Sequence, residues 1–146
     1  MDGQIVQTPL TLSLSKGSGA AKSEVWMGPV NWLAVVVAAV AALVFGAAVQ
    51  GAAARRPVQL VLAGALLLLT ASMMGHMFAR VGAATLAVKP WLYFMMSGGL
   101  ALAFVAPALA IGEARGGASA GQVVRGAAFW IASYLLMGTV FWLFKA

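Results

Sequence analysis

The sequence predicts an all-α membrane protein in which four transmembrane helices form an antiparallel bundle with short loops and a polar N-terminal tail. Three observations favour this fold. Of the 146 residues, 63% are hydrophobic and 8% are charged, and the mean hydropathy is +0.98. Four apolar stretches are long enough to cross a bilayer, and short segments connect them. Soluble domains carry roughly 25% charged residues, so the composition excludes a soluble globular domain and a disordered chain.

The four apolar stretches define the predicted spans. We place them at residues 31–50, 58–78, 91–111 and 124–144, within a single domain covering residues 27–146. The first and third spans carry no charged residue, the second carries His76, and the fourth is uncharged from residue 126 onward. At about 1.5 Å per residue, each span is roughly as long as the hydrocarbon core is thick. The short connections predict that consecutive helices run in opposite directions.

Residues 1–26 form the polar tail and contain Lys16, Lys22 and Glu24. Two interpretations remain open for this segment. The tail is either a short soluble extension that orders on a partner, or a translated intergenic repeat that is not native coding sequence. The second interpretation places the natural start at Met27, directly before the first apolar run.

Basic residues are almost evenly divided between the two predicted sides of the membrane. One side carries Lys16, Lys22, Arg80, Lys89 and Lys145, and the other carries Arg55, Arg56, Arg115 and Arg125. Orientation is therefore nearly unreadable from the excess of cytoplasmic Lys and Arg, although a start at Met27 slightly favours external termini. The net charge of +6 is spread over an apolar chain and does not predict nucleic-acid binding. Trp32, Trp91 and Trp142 all fall near the terminal side, where we expect them to anchor the helices at the interface.

Acidic residues are scarce, and none lies inside a predicted span. The acids are Asp2, Glu24 and Glu113, and we expect Glu113 to lie in a glycine-rich turn over residues 112–122. Proton-coupled transporters usually need an ionisable group within the membrane, and acid–base catalysis needs suitably placed proton donors and acceptors. The sequence contains no cysteine, which excludes thiolate chemistry. We therefore predict no catalytic residue, no cofactor and no metal site.

His76 is the candidate for an intramembrane polar contact. Ser72, His76 and Arg80 follow one another at a spacing of four, so they share a helix face. We expect His76 to form a hydrogen bond to a neighbouring helix, as polar side chains commonly do between membrane helices. The neighbouring methionines would suit copper(I), but methionine is also a common gap-filler, and we favour the second interpretation.

Small residues recur at helical spacing and predict close helix contacts. They are Ala34, Ala38, Ala42 and Gly46 in the first span, Gly75 in the second and Gly99 in the third. Such positions allow two backbones to approach closely. We favour packing within the bundle over self-association as their role. Pro107 predicts a bend in the third span.

Two segments resemble a known bacterial family. The first begins with Asn31-Trp32 and continues to Gly46, and the second runs from Gly82 through Pro107 to Gly138. Together they resemble the membrane family called domain of unknown function 1761. The resemblance implies a short four-helix inner-membrane protein that starts near Met27. The family implies no activity or cofactor, so it assigns no site residue, and the first loop departs from its pattern.

The sequence therefore favours a multi-pass protein of the bacterial inner membrane without enzymatic activity. We expect a structural or accessory subunit that contacts membrane lipids and packs against a second copy or a larger membrane complex. A small transporter or channel for a neutral or lipid-like solute is the alternative. We expect its cavity to lie near Ser72, His76 and the bend at Pro107.

Overall fold

The computed structural model describes residues 29–51 and 57–145. Four long helices and one short helix make up this part of the chain, and it contains no strand. Helix α1 covers Trp32–Gln50, α2 covers Pro57–Val81, α3 covers Ala83–Val88, α4 covers Trp91–Arg115 and α5 covers Ala120–Leu143. The four long helices are long and apolar enough to span a membrane, as in a multi-pass membrane protein. The interpretations of residues 1–26 and of Arg55 and Arg56 lie outside the described residues.

Polar and special residues define the ends of the first two helices. At the start of α1, the Asn31 side chain accepts a hydrogen bond from the backbone N–H of Ala34 at 3.1 Å. Pro57 begins α2, where its missing N–H costs nothing. Gly82 ends α2 with a φ of +85°, a conformation that favours glycine. The second span thus runs three residues further than the predicted boundary at 78, and Arg80 lies in its last turn.

The third span is longer than predicted, and the turn after it is correspondingly shorter. Helix α4 continues to Arg115, so Glu113 lies on the helix, and our placement of it in a turn was wrong. The helix ends because Gly117 adopts a φ of +79°. Its N–H donates to the carbonyl of Ala114, and the N–H of Ala118 donates to the carbonyl of Glu113. These two hydrogen bonds form a Schellman motif, which requires a left-handed residue at position 117 and none at 112.

A π-helical turn interrupts α4 at Ala101–Val105, just before Pro107. Within this turn the N–H of Ala106 bonds to the carbonyl of Ala101, five residues earlier. Pro107 has no N–H to donate, and a widened turn next to proline accommodates that loss. The expected irregularity at Pro107 is therefore a π-helical turn within a continuous helix.

The core is densest at the end of the structure where α2 ends and α4 begins. There the Phe78 ring of α2 contacts Tyr93 of α4 and Phe141 of α5, with centroid distances of 4.9 and 5.1 Å. At the other end, Phe45 of α1 stacks on Phe129 of α5 at 5.6 Å. Helix α5 packs against both α1 and α4. The aromatic contacts thus fasten the helices at both ends.

Candidate functional site

The predicted polar group near the end of α2 exists, but its hydrogen bonds remain within that helix. The Nδ1 of His76 donates to the carbonyl oxygen of Ser72 at 2.8 Å, and the Ser72 hydroxyl donates to the carbonyl of Leu68 at 2.8 Å. Among the described residues, His76 does not form the expected hydrogen bond to a neighbouring helix. Instead, the Trp32 ring of α1 meets the imidazole edge-on, with centroids 5.9 Å apart. Arg80 is exposed one turn further along.

Other hydroxyl groups in the long helices also bond to their own backbone. Ser97 donates to the carbonyl of Tyr93 at 2.7 Å, Ser133 to that of Phe129 at 2.9 Å, and Thr139 to that of Leu135 at 2.8 Å. Each is a bond to the residue four positions earlier, the usual way to satisfy a hydroxyl in a membrane helix. No group of three or more His, Cys, Asp or Glu able to hold a metal ion occurs within the described residues.

Most of the predicted small residues face the inside of the structure. Ala34, Ala38 and Ala42 are almost completely buried. A Cβ added at Gly75 would lie 2.9 Å from Cγ2 of Val35, and one at Gly46 would lie 3.5 Å from the Phe129 ring. These glycines therefore mark close contacts between helices. Gly99 differs, because an added Cβ would meet nothing within 4 Å.

The closest helix approach involves glycines that our sequence reasoning did not place at a contact. A Cβ at Gly138 of α5 would lie 3.0 Å from both the Ser97 Cβ and the Tyr93 carbonyl oxygen of α4. One at Gly98 would lie 2.7 Å from Cδ2 of Leu135. The sequence did not mark Gly138 as a contact, because the residue four positions earlier, Tyr134, is large and so no pattern of small residues includes Gly138. The useful signal was the pair Gly98-Gly99, of which the first member packs inward and the second outward.

The three predicted interface tryptophans lie at helix ends and are exposed. Trp32 begins α1, Trp91 begins α4, and Trp142 is the next-to-last residue of α5. The Trp142 ring also contacts Phe94, with centroids 6.0 Å apart. Their places at the helix ends match the amphipathic character of indole, which prefers the boundary between hydrocarbon and headgroups.

A cleft of about 440 Å³ opens between α1, α2 and α5. Its walls are mostly aliphatic and aromatic, and Gln59 and Ser133 are its polar members. Phe129 and Trp130 line the cleft on α5, and the small residue Gly46 lines it on α1. The cleft does not include Ser72, His76 or Pro107, the residues near which we expected a cavity.

Glu113 is the feature that contradicts our sequence interpretation most directly. It lies in the last turn of α4, and one carboxylate oxygen, Oε2, is buried without a hydrogen-bond partner. The statement that no acid lies inside a span was therefore wrong. The prediction failed because the glycine at 112 suggested a turn, whereas Gly112 lies within α4, and the helix ends only at Gly116 and Gly117.

No protein-family model matches this chain, and no curated protein or solved structure is significantly similar to it.

Proposed function

We propose that this protein is a non-enzymatic structural or accessory subunit of the bacterial inner membrane, and that a second copy or a larger membrane complex packs against α4. The outer face of α4 carries the proposal. Gly99 is exposed with nothing within 4 Å of an added Cβ, and Ala103, one turn further, is exposed as well. Small residues that face outward allow a helix from another subunit to approach closely.

The hydrogen bonds of the serine hydroxyls support the non-enzymatic part of this proposal. The hydroxyls of Ser72, Ser97 and Ser133 donate to carbonyl oxygens of their own helices. An activated nucleophile would instead have its hydroxyl within reach of a base. The bonds observed satisfy these hydroxyls within their own helices.

The proposal includes an antiparallel bundle. Trp32, at the start of α1, contacts His76, near the end of α2, while Phe45, near the end of α1, contacts Phe129 in the first half of α5. Phe78, near the end of α2, likewise contacts Tyr93, near the start of α4. Contacts between opposite helix ends are those that an up-down-up-down arrangement produces.

Membership of the family called domain of unknown function 1761 is also part of the proposal. The Asn31-Trp32 start and the segment from Gly82 to Gly138 support it. The Asn31 side chain caps α1, which gives the first residue of that pair a structural role. The family implies no known activity, so it assigns no site residue.

Site-directed cross-linking in native membranes tests the proposed packing on α4. Because the chain has no cysteine, Gly99→Cys introduces a single thiol on the outer face of this helix. Val61→Cys on α2 is the matched control, since Val61 is 74% exposed but lies on a helix with no proposed partner. We expect a cross-linked species from Gly99→Cys in clear excess over Val61→Cys. Equal yields, or monomer alone from both variants, would overturn the proposal.

The cleft between α1, α2 and α5 favours a second candidate function, the binding and transport of a neutral or lipid-like solute. Its apolar walls and two polar groups suit a ligand with little charge. Uptake of such a solute into proteoliposomes is the test. Gly46→Leu would fill the floor of the cleft, while Gly99→Leu adds the same side chain on α4, away from the cleft. Uptake lost only in Gly46→Leu would place transport above the subunit function.

A further inference from the structure

Glu113 is a carboxylate near the end of α4, one of the helices that are apolar enough to span a membrane. It lies two residues before Arg115, the last residue of α4, and its side chain is partly buried. The buried Oε2 has no hydrogen-bond partner. An unpaired oxygen of this kind is costly in an apolar environment, and ionisable residues in membrane spans usually mark functional sites. Because Oε2 has almost no accessible surface, a ligand from outside would have to bind this carboxylate through Oε1.

The Glu113 carboxylate lies against Gly126 of α5. A Cβ at this position would lie 2.7 Å from Oε1 and 3.2 Å from Oε2 of Glu113. The carboxylate thus rests directly on the α5 backbone, and only glycine leaves room for it there. Any larger residue at position 126 would displace the carboxylate from this position.

A shallow, open groove formed by residues of α4 alone extends to this carboxylate. Glu113 is its one charged member, and the other lining residues are Phe104, Val105, Ala108, Leu109 and Gly112. Phe104 is 68% exposed, so its ring is available to an apolar chain lying in the groove. One acyl chain could therefore lie along the apolar part of the groove. The groove ends at the negative charge of Glu113, near the end of the helix.

A cation is adjacent in sequence to Gly126. Arg125 precedes Gly126 and is exposed, and its Nε donates to the carbonyl of Gly121 at 3.2 Å. That bond leaves the two Nη groups of the guanidinium available for an anion. Position 115, at the end of α4, adds a second arginine. Arginine binds phosphate well, so the helix ends offer a phosphate contact next to a carboxylate.

We propose that Glu113 and Arg125 form a binding site for a phospholipid with a primary ammonium headgroup, such as phosphatidylethanolamine. The ammonium donates to the carboxylate of Glu113, the phosphate accepts from Arg125, and one acyl chain lies along the groove of α4. The depth agrees, because Glu113 is about 3 Å below the last helical residue at a rise of about 1.5 Å per residue, close to the headgroup layer. The site does not depend on the proposed subunit function.

Native mass spectrometry of the delipidated full chain in detergent tests this site. Phosphatidylethanolamine and phosphatidylcholine with identical acyl chains are the two probes, since the choline nitrogen has no N–H to donate. We expect the ethanolamine lipid to bind about tenfold more tightly, the size of one charge-assisted hydrogen bond. Arg125→Gln should weaken both lipids by a similar factor, because both carry the phosphate.

Two variants separate the carboxylate from general effects on the fold. Glu113→Gln and Gly126→Ala should each abolish the preference for the ethanolamine lipid, the first by removing the charge and the second by displacing it. Glu24→Gln, the same chemical change at the other glutamate of the chain, should retain it. Circular dichroism checks that the variants are folded.

Three results would overturn the proposal: equal binding of the two lipids to the unmodified chain, a preference that survives Glu113→Gln in a folded protein, or binding of dodecylammonium without binding of the ethanolamine lipid. The last result would assign the carboxylate to a membrane-soluble amine instead of a lipid headgroup.

Discussion

The Ser97 side chain of α4 lies so close to Gly138 of α5 that even an alanine at position 138 would overpack the contact. Ser97 is completely buried, and its hydroxyl donates to the carbonyl of Tyr93 at 2.7 Å. An added Cβ on Gly138 would lie 3.0 Å from the Ser97 Cβ and from that same carbonyl oxygen. The Tyr93 carbonyl oxygen belongs to the backbone, so it cannot move away as the end of a flexible side chain can. The distance between α4 and α5 therefore depends on this pair.

Gly138→Ala should destabilise the protein by about 1–3 kcal/mol, the usual cost of an overpacked core. Equilibrium unfolding in mixed micelles measures the change. Gly99→Ala is the control, since it adds the same methyl group where nothing lies within 4 Å. The control should be neutral or slightly more stable, because alanine favours the helix over glycine. Equal stability of the two variants would contradict the packing described here.

Gly75→Ala should weaken the contact between α1 and α2. Its Cβ would lie 2.9 Å from Cγ2 of Val35, and the branched side chain of Val35 has few rotamers to move into. We expect a loss of about 1–2 kcal/mol. Val35→Ala in the same protein should recover part of it, which a double-mutant cycle measures as a favourable coupling energy.

Gly64→Ala is the matched control for the same pair of helices. Its Cβ would lie 3.7 Å from Cδ2 of Leu43, an ordinary contact distance. The unfolding free energy should therefore change by less than about 0.5 kcal/mol, as for distant surface changes. If Gly64→Ala cost as much as Gly75→Ala, general sensitivity of α2 to added volume would explain both.

His76→Leu should leave the fold intact. The imidazole bonds to the carbonyl of Ser72 within its own helix, so its removal breaks no hydrogen bond between helices. The loss should be smaller than the average of about 0.6 kcal/mol for a hydrogen bond between membrane helices, because none is broken here. Thermal unfolding in detergent, followed by circular dichroism, measures it. A loss several times larger would mean that the Trp32 contact, or a bond outside the described residues, holds the helices together.

Gly117→Ala should destabilise the turn between α4 and α5 by about 1 kcal/mol, because a φ of +79° is unfavourable for alanine. No atom lies within 4 Å of the added methyl group, so the cost comes from the backbone conformation alone. Gly121→Ala, which also meets nothing within 4 Å but lies inside α5, should be neutral or slightly stabilising. Unfolding measurements on the two variants should therefore differ in sign or clearly in size.

The connection between α4 and α5 shows why helix ends were harder to predict than helices. Sequence alone predicted a turn over residues 112–122, but the structure confines it to a few residues around Gly116 and Gly117. Ser119 and Gln122 carried a usable signal, because the Ser119 N–H donates to Oε1 of Gln122 at 2.8 Å in the manner of a capping box. That pairing marks the start of α5 four residues before the predicted boundary at 124.

The number of long helices and their apolar character follow from the sequence by itself. Uncharged runs of about 20 residues are long enough to cross a bilayer and are too apolar for any other common environment. The start of α1 at Asn31 also follows from local chemistry, since a cap involves only nearby residues. The end of α2 at Gly82 is equally local, because it depends on a left-handed backbone, although the predicted boundary at 78 was three residues short.

Only the tertiary structure decided which faces of those helices meet. In a soluble helix, polar residues mark the outer face, but here both the packed face and the outer face are apolar, so no amphipathic pattern separates them. Gly98 and Gly99 are adjacent in sequence, yet the first contacts Leu135 and the second contacts nothing. Glu113 and Gly126 likewise lie on different helices. Only the packing of α5 beside α4 brings the carboxylate against Gly126.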